Sequence, residues 1–181
     1  EVVSSRILTK FLLSIFFISA ISLGGFLRIP LPFTPVPLTL QTFFVLLSAS
    51  CLGFRWSLFT LFCYMFIGII GVPVFTGANA GLVYLLGPTS GYLFGFIFAA
   101  VFISSLLRYA KSSLFSTVCL FCLGNLLLLL CGALWLKISL QITFTQSLLM
   151  GFLPFVAGDV LKASLAAFLF WRLKPRLKSI L

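Results

Sequence analysis

Long apolar runs with almost no charge inside them are what most restricts the folds open to this chain. No Asp, Glu, Lys or Arg occurs between Arg55 and Arg108, and none between Lys111 and Lys137. Segments of this kind have no charged face to turn toward water, so they need lipid as solvent. Composition agrees, with 62% of the 181 residues hydrophobic and 8% charged. The acidic residues are Glu1, at the very start, and Asp159, which is therefore the one internal carboxylate. A formal charge of +10 does not mark a nucleic-acid groove here, because the bases punctuate apolar runs and do not cluster on a solvated face.

Arg6 and Lys10, followed by an apolar stretch over 11–27, have the outline of a cleavable signal peptide. Similar stretches recur to the end of the chain, so the first is expected to stay in the membrane as a helix. The cysteines Cys51, Cys63, Cys119, Cys122 and Cys131 all fall in apolar stretches and read as buried small hydrophobes. Cys119 and Cys122 have the spacing of half a zinc site. No second pair and no histidine accompany them, so no metal is expected.

A spanning helix needs about 20 mainly apolar residues. Cutting at charges, prolines and glycine clusters gives six candidate spans, at 7–26, 38–52, 56–70, 88–107, 115–136 and 152–171. The second and third are short, which implies a thinned, broken or internally buried span. The boundary over 140–151 is open: it extends the last span or forms an outer loop. With the N-terminus inside, the cytoplasmic side carries Arg6, Lys10, Arg55, Arg108, Lys111, Arg172, Lys174, Arg176 and Lys178, against Arg28 and Lys137 outside. That excess satisfies the positive-inside rule and puts both termini in the cytoplasm. The expected fold is one all-α membrane domain over 1–181, a bundle of six transmembrane helices. Its outer connections are 28–37, 71–87 and 137–151. The first holds Pro30, Pro32, Pro35 and Pro37 and the second Gly71, Pro73, Gly77, Gly81 and Gly87, backbone suited to line or cap a cavity and unsuited to face lipid.

An ionisable residue inside a membrane costs about 2.5 to 3.5 kcal/mol on insertion scales, so each is a functional candidate. Asp159 and Lys162 fall within the last span, and at i and i+3 they share a helix face. They can simply neutralise each other and fix helix packing. They can also offer a ligand an acceptor and a donor at one place. Asn79, between Gly77 and Gly81, carries both acceptor and donor groups but is equally a natural turn residue. Phe75, Tyr84 and Tyr92 are nearby aromatics of the kind that line pockets. Gly87, Gly91 and Gly95 form a small-residue row read as internal helix packing. Ala20 and Gly24 form another, read as a surface for a further helical subunit.

No phosphate-binding G-x-x-x-x-G-K-[ST] loop occurs, which removes ATP hydrolysis by that route. With no histidine and one partnered carboxylate, a general acid and base pair is hard to assemble, so the chain is not expected to be an enzyme. A stand-alone ion-coupled transporter would want internal repeats and several intramembrane acids.

Four segments together resemble the BioY family, the biotin-specific substrate-binding (S) components of energy-coupling factor (ECF) importers: Thr34 to Thr42 (TPVPLTLQT), Gly71 to Phe75 (GVPVF), Gly87 to Gly95 (GPTSGYLFG) and Gly158 to Lys162 (GDVLK). Their order and spacing span nearly the whole chain. The resemblance implies a six-helix S component in a bacterial cytoplasmic membrane, with a biotin cavity near the outer face capped by the loop between spans one and two. It also implies a membrane coupling subunit and two ATP-binding subunits as partners. No cofactor is implied. In this reading Asp159 accepts a ureido N–H, Asn79 makes a second amide contact, and Lys162 binds the ureido oxygen or steadies Asp159. Tyr92 and Phe75 pack on the rings, while Gln41 and Thr39 support the capping loop. Some family members place a base directly after the tyrosine of the third segment, where it could meet the ligand carboxylate. Here that position is Leu93, which leaves backbone amides, solvent or Arg28 for that contact. The alternatives carried forward are an S component for another vitamin, such as thiamin or riboflavin, and a stand-alone secondary transporter.

Overall fold

The computed structural model describes residues 2–110 and 113–180. Glu1, Lys111 and the side chain of Lys178, all used above, lie outside the described residues. The chain opens with α1 (Val2–Phe26), then forms a small antiparallel hairpin of β1 (Arg28–Ile29) and β2 (Leu38–Thr39), with Arg28 opposite Thr39 and Ile29 opposite Leu38. The four prolines of this region fall in the hairpin and its loop, where fixed φ and missing N–H groups exclude helix. The candidate span at 38–52 accordingly starts late: Leu38 and Thr39 pair in the hairpin and helix begins at Gln41.

The next element, α2 (Gln41–Ile69), is a helical hairpin. Gln41 and Tyr64, 23 positions apart, are joined by a 2.7 Å hydrogen bond, whereas a straight helix would hold them about 34 Å apart at 1.5 Å per residue. The chain folds back at Gly53, whose φ of 73° and ψ of 178° suit glycine alone. Its two arms fall where the sequence separates candidate spans two and three. After the loop that follows come α3 (Leu82–Leu85), α4 (Ser90–Leu106), α5 (Leu114–Leu140), α6 (Phe144–Gly151) and α7 (Leu153–Ile180). Among the described residues, α1, α2, α5 and α7 are long and apolar enough to cross a membrane, and α4 is a shorter apolar helix.

The segment 140–151 is neither loop nor part of the last helix. Gln141 adopts the left-handed conformation that ends α5, and Thr143 with Gln146 forms a reciprocal capping box that starts α6. The glycine row on α4 packs internally: a Cβ on Gly91 would lie 2.2 Å from the Trp135 Cβ, and one on Gly95 would lie 2.9 Å from the Leu128 carbonyl oxygen. Backbones of α4 and α5 therefore meet directly.

The Ala20 and Gly24 row requires a correction. Ala20 is buried, and Gly24 backs onto the start of α2, with 3.0 Å between an added Cβ and the Gln41 nitrogen. The Leu40 N–H also donates to the Gly24 carbonyl. These small residues are consumed by packing inside the chain and offer no free surface to another subunit. The outward face of α1 is instead large and apolar, with Ile7, Leu8, Leu12 and Phe16 exposed. Ser14 and Ser22, turned inward, donate to carbonyls one turn earlier, at Lys10 and Ile18, a local solution where no water is at hand.

Candidate functional site

One cavity sits where the β hairpin, the start of α2, the 71–87 loop and helices α4, α5 and α7 converge. Its polar wall comes from α7: Asp159 and Lys162, one turn apart, form an ion pair, and both are at least nine-tenths buried. The Lys162 ammonium also donates to the Thr39 carbonyl at 2.8 Å, tying α7 to the hairpin. An ammonium has three donors and a carboxylate about four acceptor positions. The pair therefore neutralises itself and still has a donor and acceptor sites to offer.

The apolar wall is aromatic. Tyr92 lies flat in the notch left by Gly132, where a Cβ would come within 2.2 Å of its ring, and its hydroxyl donates to the Gly151 carbonyl at 2.5 Å. Its polar tip is thus spent inside the bundle, and its ring is left to face the cavity beside Phe155, 6.2 Å away between centroids. Phe96, Leu129 and Leu93 continue this wall. Tyr84 supplies the opposite side, stacked 5.0 Å from Phe75.

Gln41 lines the cavity, yet both ends of its amide are engaged. Its Nε2 donates to the Tyr64 hydroxyl at 2.7 Å, its Oε1 accepts from the Thr76 hydroxyl at 2.7 Å, and Tyr64 donates onward to the Val74 carbonyl at 3.1 Å. This chain of bonds fastens the 71–87 loop to both arms of α2, whereas the loop Gln41 was expected to support is the one between α1 and α2. The Thr39 carbonyl joins the hairpin to Lys162 on α7.

Two expected contacts are placed elsewhere. Asn79 is exposed and outside the cavity lining; its Nδ2 donates to the Thr76 carbonyl at 2.8 Å, and its own carbonyl accepts from the Phe75 N–H at 3.0 Å. Its amide donor closes a turn, the alternative its glycine-flanked position allowed. Phe75 is fully buried behind Tyr84 and seated over Gly68, where a Cβ would come within 2.1 Å of the ring. It supports the cavity's aromatic wall from behind and does not form it.

Thr76, Phe96, Leu129 and Phe155 line the cavity without having been singled out. The aromatic and aliphatic members carried no distinguishing signal in so apolar a sequence. Thr76, next to Phe75 in the glycine-rich loop, could have been found by position.

The open space in the cavity is about 40 Å³, room for a few waters at roughly 10 to 15 Å³ each. Beside it, sharing Thr39 and Lys162, runs a groove of about 440 Å³ along the hairpin and α7.

The BioY family model matches residues 3–179, almost the full length. The chain belongs to the BioY family. It is 37% identical over 158 residues to a biotin transporter BioY of Thermotoga maritima, an overlap that covers 87% of this chain and 91% of that one. It is 39% identical over 135 residues to the biotin transporter BioY2 of Lactococcus lactis subsp. cremoris, covering 75% and 74% of the two chains. Among solved structures it is similar to the S-component for biotin from an ECF-type ABC transporter, at a TM-score of 0.86 and 29% identity, covering 93% of this chain and 92% of that one. The family match thus spans the hairpin, the 71–87 loop and the α7 pair.

Proposed function

We propose that this chain is the biotin-binding S component of an ECF-type importer. The observation that carries the reading is the buried Asp159–Lys162 pair, which opens on a cavity walled by Tyr84, Tyr92 and Phe155. Biotin presents a flat ureido group with N–H donors and a carbonyl, fused to an apolar sulfur ring. A carboxylate that accepts an N–H and an ammonium that donates to the carbonyl fit the first. Aromatic rings fit the second, and burial makes each polar match selective because an unmatched group would be stranded. The names of the BioY relatives and of the similar structure support biotin over other vitamins.

Six crossings are supported by the α2 hairpin, which divides one of the long apolar helices into two arms, together with α1, α4, α5 and α7. Both termini lie in the cytoplasm in this reading, on the distribution of bases, and the hairpin end faces outward. A coupling subunit and two ATP-binding subunits supply the energy, consistent with the absence of a phosphate loop in this sequence. The location is the cytoplasmic membrane of a bacterium.

Titration calorimetry on the purified protein with biotin, thiamin and riboflavin tests the reading. Saturable binding of biotin alone is expected, and preference for another vitamin would overturn it. In liposomes, uptake should require the ATP-binding partners; uptake by this chain alone would make it a self-sufficient transporter.

A further inference from the structure

The cavity and its adjoining groove together carry one positive charge more than they can neutralise. Asp159 is the only carboxylate side chain among the described residues, and Lys162 already occupies it. The groove wall bears a second cation, Arg28. Arg28 sits in β1 opposite Thr39, the residue whose carbonyl holds Lys162. Its guanidinium lies across Gly77 of the outer loop, so close that a Cβ there would be 2.2 Å from Nη1. The remaining wall is apolar, from Leu27, Ile29, Leu38 and Leu161.

That arrangement suits an aliphatic arm ending in an anion. The groove and the cavity share Thr39 and Lys162, which are joined by a 2.8 Å hydrogen bond, so an arm leaving a ring system in the cavity reaches Arg28 by passing these two residues. Arg28, Lys162 and Asp159 sum to +1, which a monocarboxylate would cancel. On α4, Leu93 is apolar and 3% exposed and offers no charge.

We propose that Arg28 is the carboxylate-binding residue of this protein and that the groove between the hairpin and α7 holds the ligand's carboxyl-bearing chain. This rests on the biotin reading. The planar guanidinium grips a carboxylate through two parallel hydrogen bonds, an arrangement an ammonium cannot reproduce.

The test compares biotin with biotinamide, in which a neutral carboxamide replaces the carboxylate, on the wild type, Arg28→Gln and Arg28→Lys in nanodiscs of neutral lipid. Wild type should bind biotin roughly 10- to 100-fold more tightly than biotinamide, the discrimination expected of a charged hydrogen bond. Arg28→Gln should lose that preference by weakening biotin alone, and Arg28→Lys should keep part of it. Equal affinity of the wild type for the two ligands would overturn the proposal whatever the variants do. So would an equal loss for both in Arg28→Gln, which would make Arg28 a fastener between hairpin and outer loop or a lipid headgroup contact. Absence of any biotin binding by the wild type would strike the biotin reading itself, and the two failures are thereby told apart.

Discussion

Two polar clusters meet at the hairpin end of the bundle, and they are built on opposite plans. Gln41, Thr76 and Tyr64 form a neutral chain in which the links close within the protein and end on a backbone carbonyl. Asp159 and Lys162 form a charged pair on the cavity wall, with hydrogen-bonding positions to spare. In a membrane interior a closed neutral chain costs little once made, because each group has its partner and none is left to seek water. A buried ion pair is costly, and an apolar pair of the same shape is often as stable or more so. The contrast fits a neutral cluster that holds the site together and a charged pair in the binding role proposed for it.

The largest effect that would break or sharpen this contrast comes from Lys162→Met. It strands Asp159 in the interior and should cost about 3 to 5 kcal/mol of stability, visible as a lowered thermal transition in detergent, with biotin binding lost. Combining it with Asp159→Leu should restore most of the stability and none of the binding. If the double variant melts as low as the single one, the pair is a packing device and the contrast collapses.

Tyr64→Phe should come next. It removes the link between Gln41 and Val74 and leaves a buried amide donor short of its partner, a cost of about 1 to 3 kcal/mol. Biotin affinity measured on the folded protein should change little. A sharp loss of affinity with an unchanged melting temperature would move the neutral cluster into the binding machinery.

Asn79→Ala should show the smallest effect, about 0.5 kcal/mol for one hydrogen bond at an exposed turn. Calorimetry is the discriminating measurement here, because a large fall in biotin affinity would mean that the Asn79 amide leaves Thr76 and turns onto the ligand when the site is filled.

Much of this organisation was legible in the residues. The need for lipid, the helix break at the prolines, the gap at 53–55 between candidate spans two and three, the internal glycine row and the polar pair on α7 all follow from local chemistry or from spacing along one helix. Asp159 and Lys162 stood out because charge is so rare within the apolar runs. Phe75 and Asn79 did not yield to the same reasoning. Their neighbourhood in the glycine-rich loop was readable, but whether each turns toward the cavity or away from it depends on Gly68, Tyr84 and Thr76, residues brought together by the loop's path.

Ala20 and Gly24 make the same point on a helix. Spacing four apart announces a close approach of backbones, and only the tertiary structure decides that the approaching backbone is the chain's own α2. Sequence alone determined the solvent, the breaks and the place of the buried charge, because each depends on the free energy of a segment considered by itself. The tertiary structure decided which face of each segment is used up in packing and which is left for a ligand. That choice depends on contacts between residues far apart in the chain, such as Lys162 with Thr39 and Arg28 with Gly77.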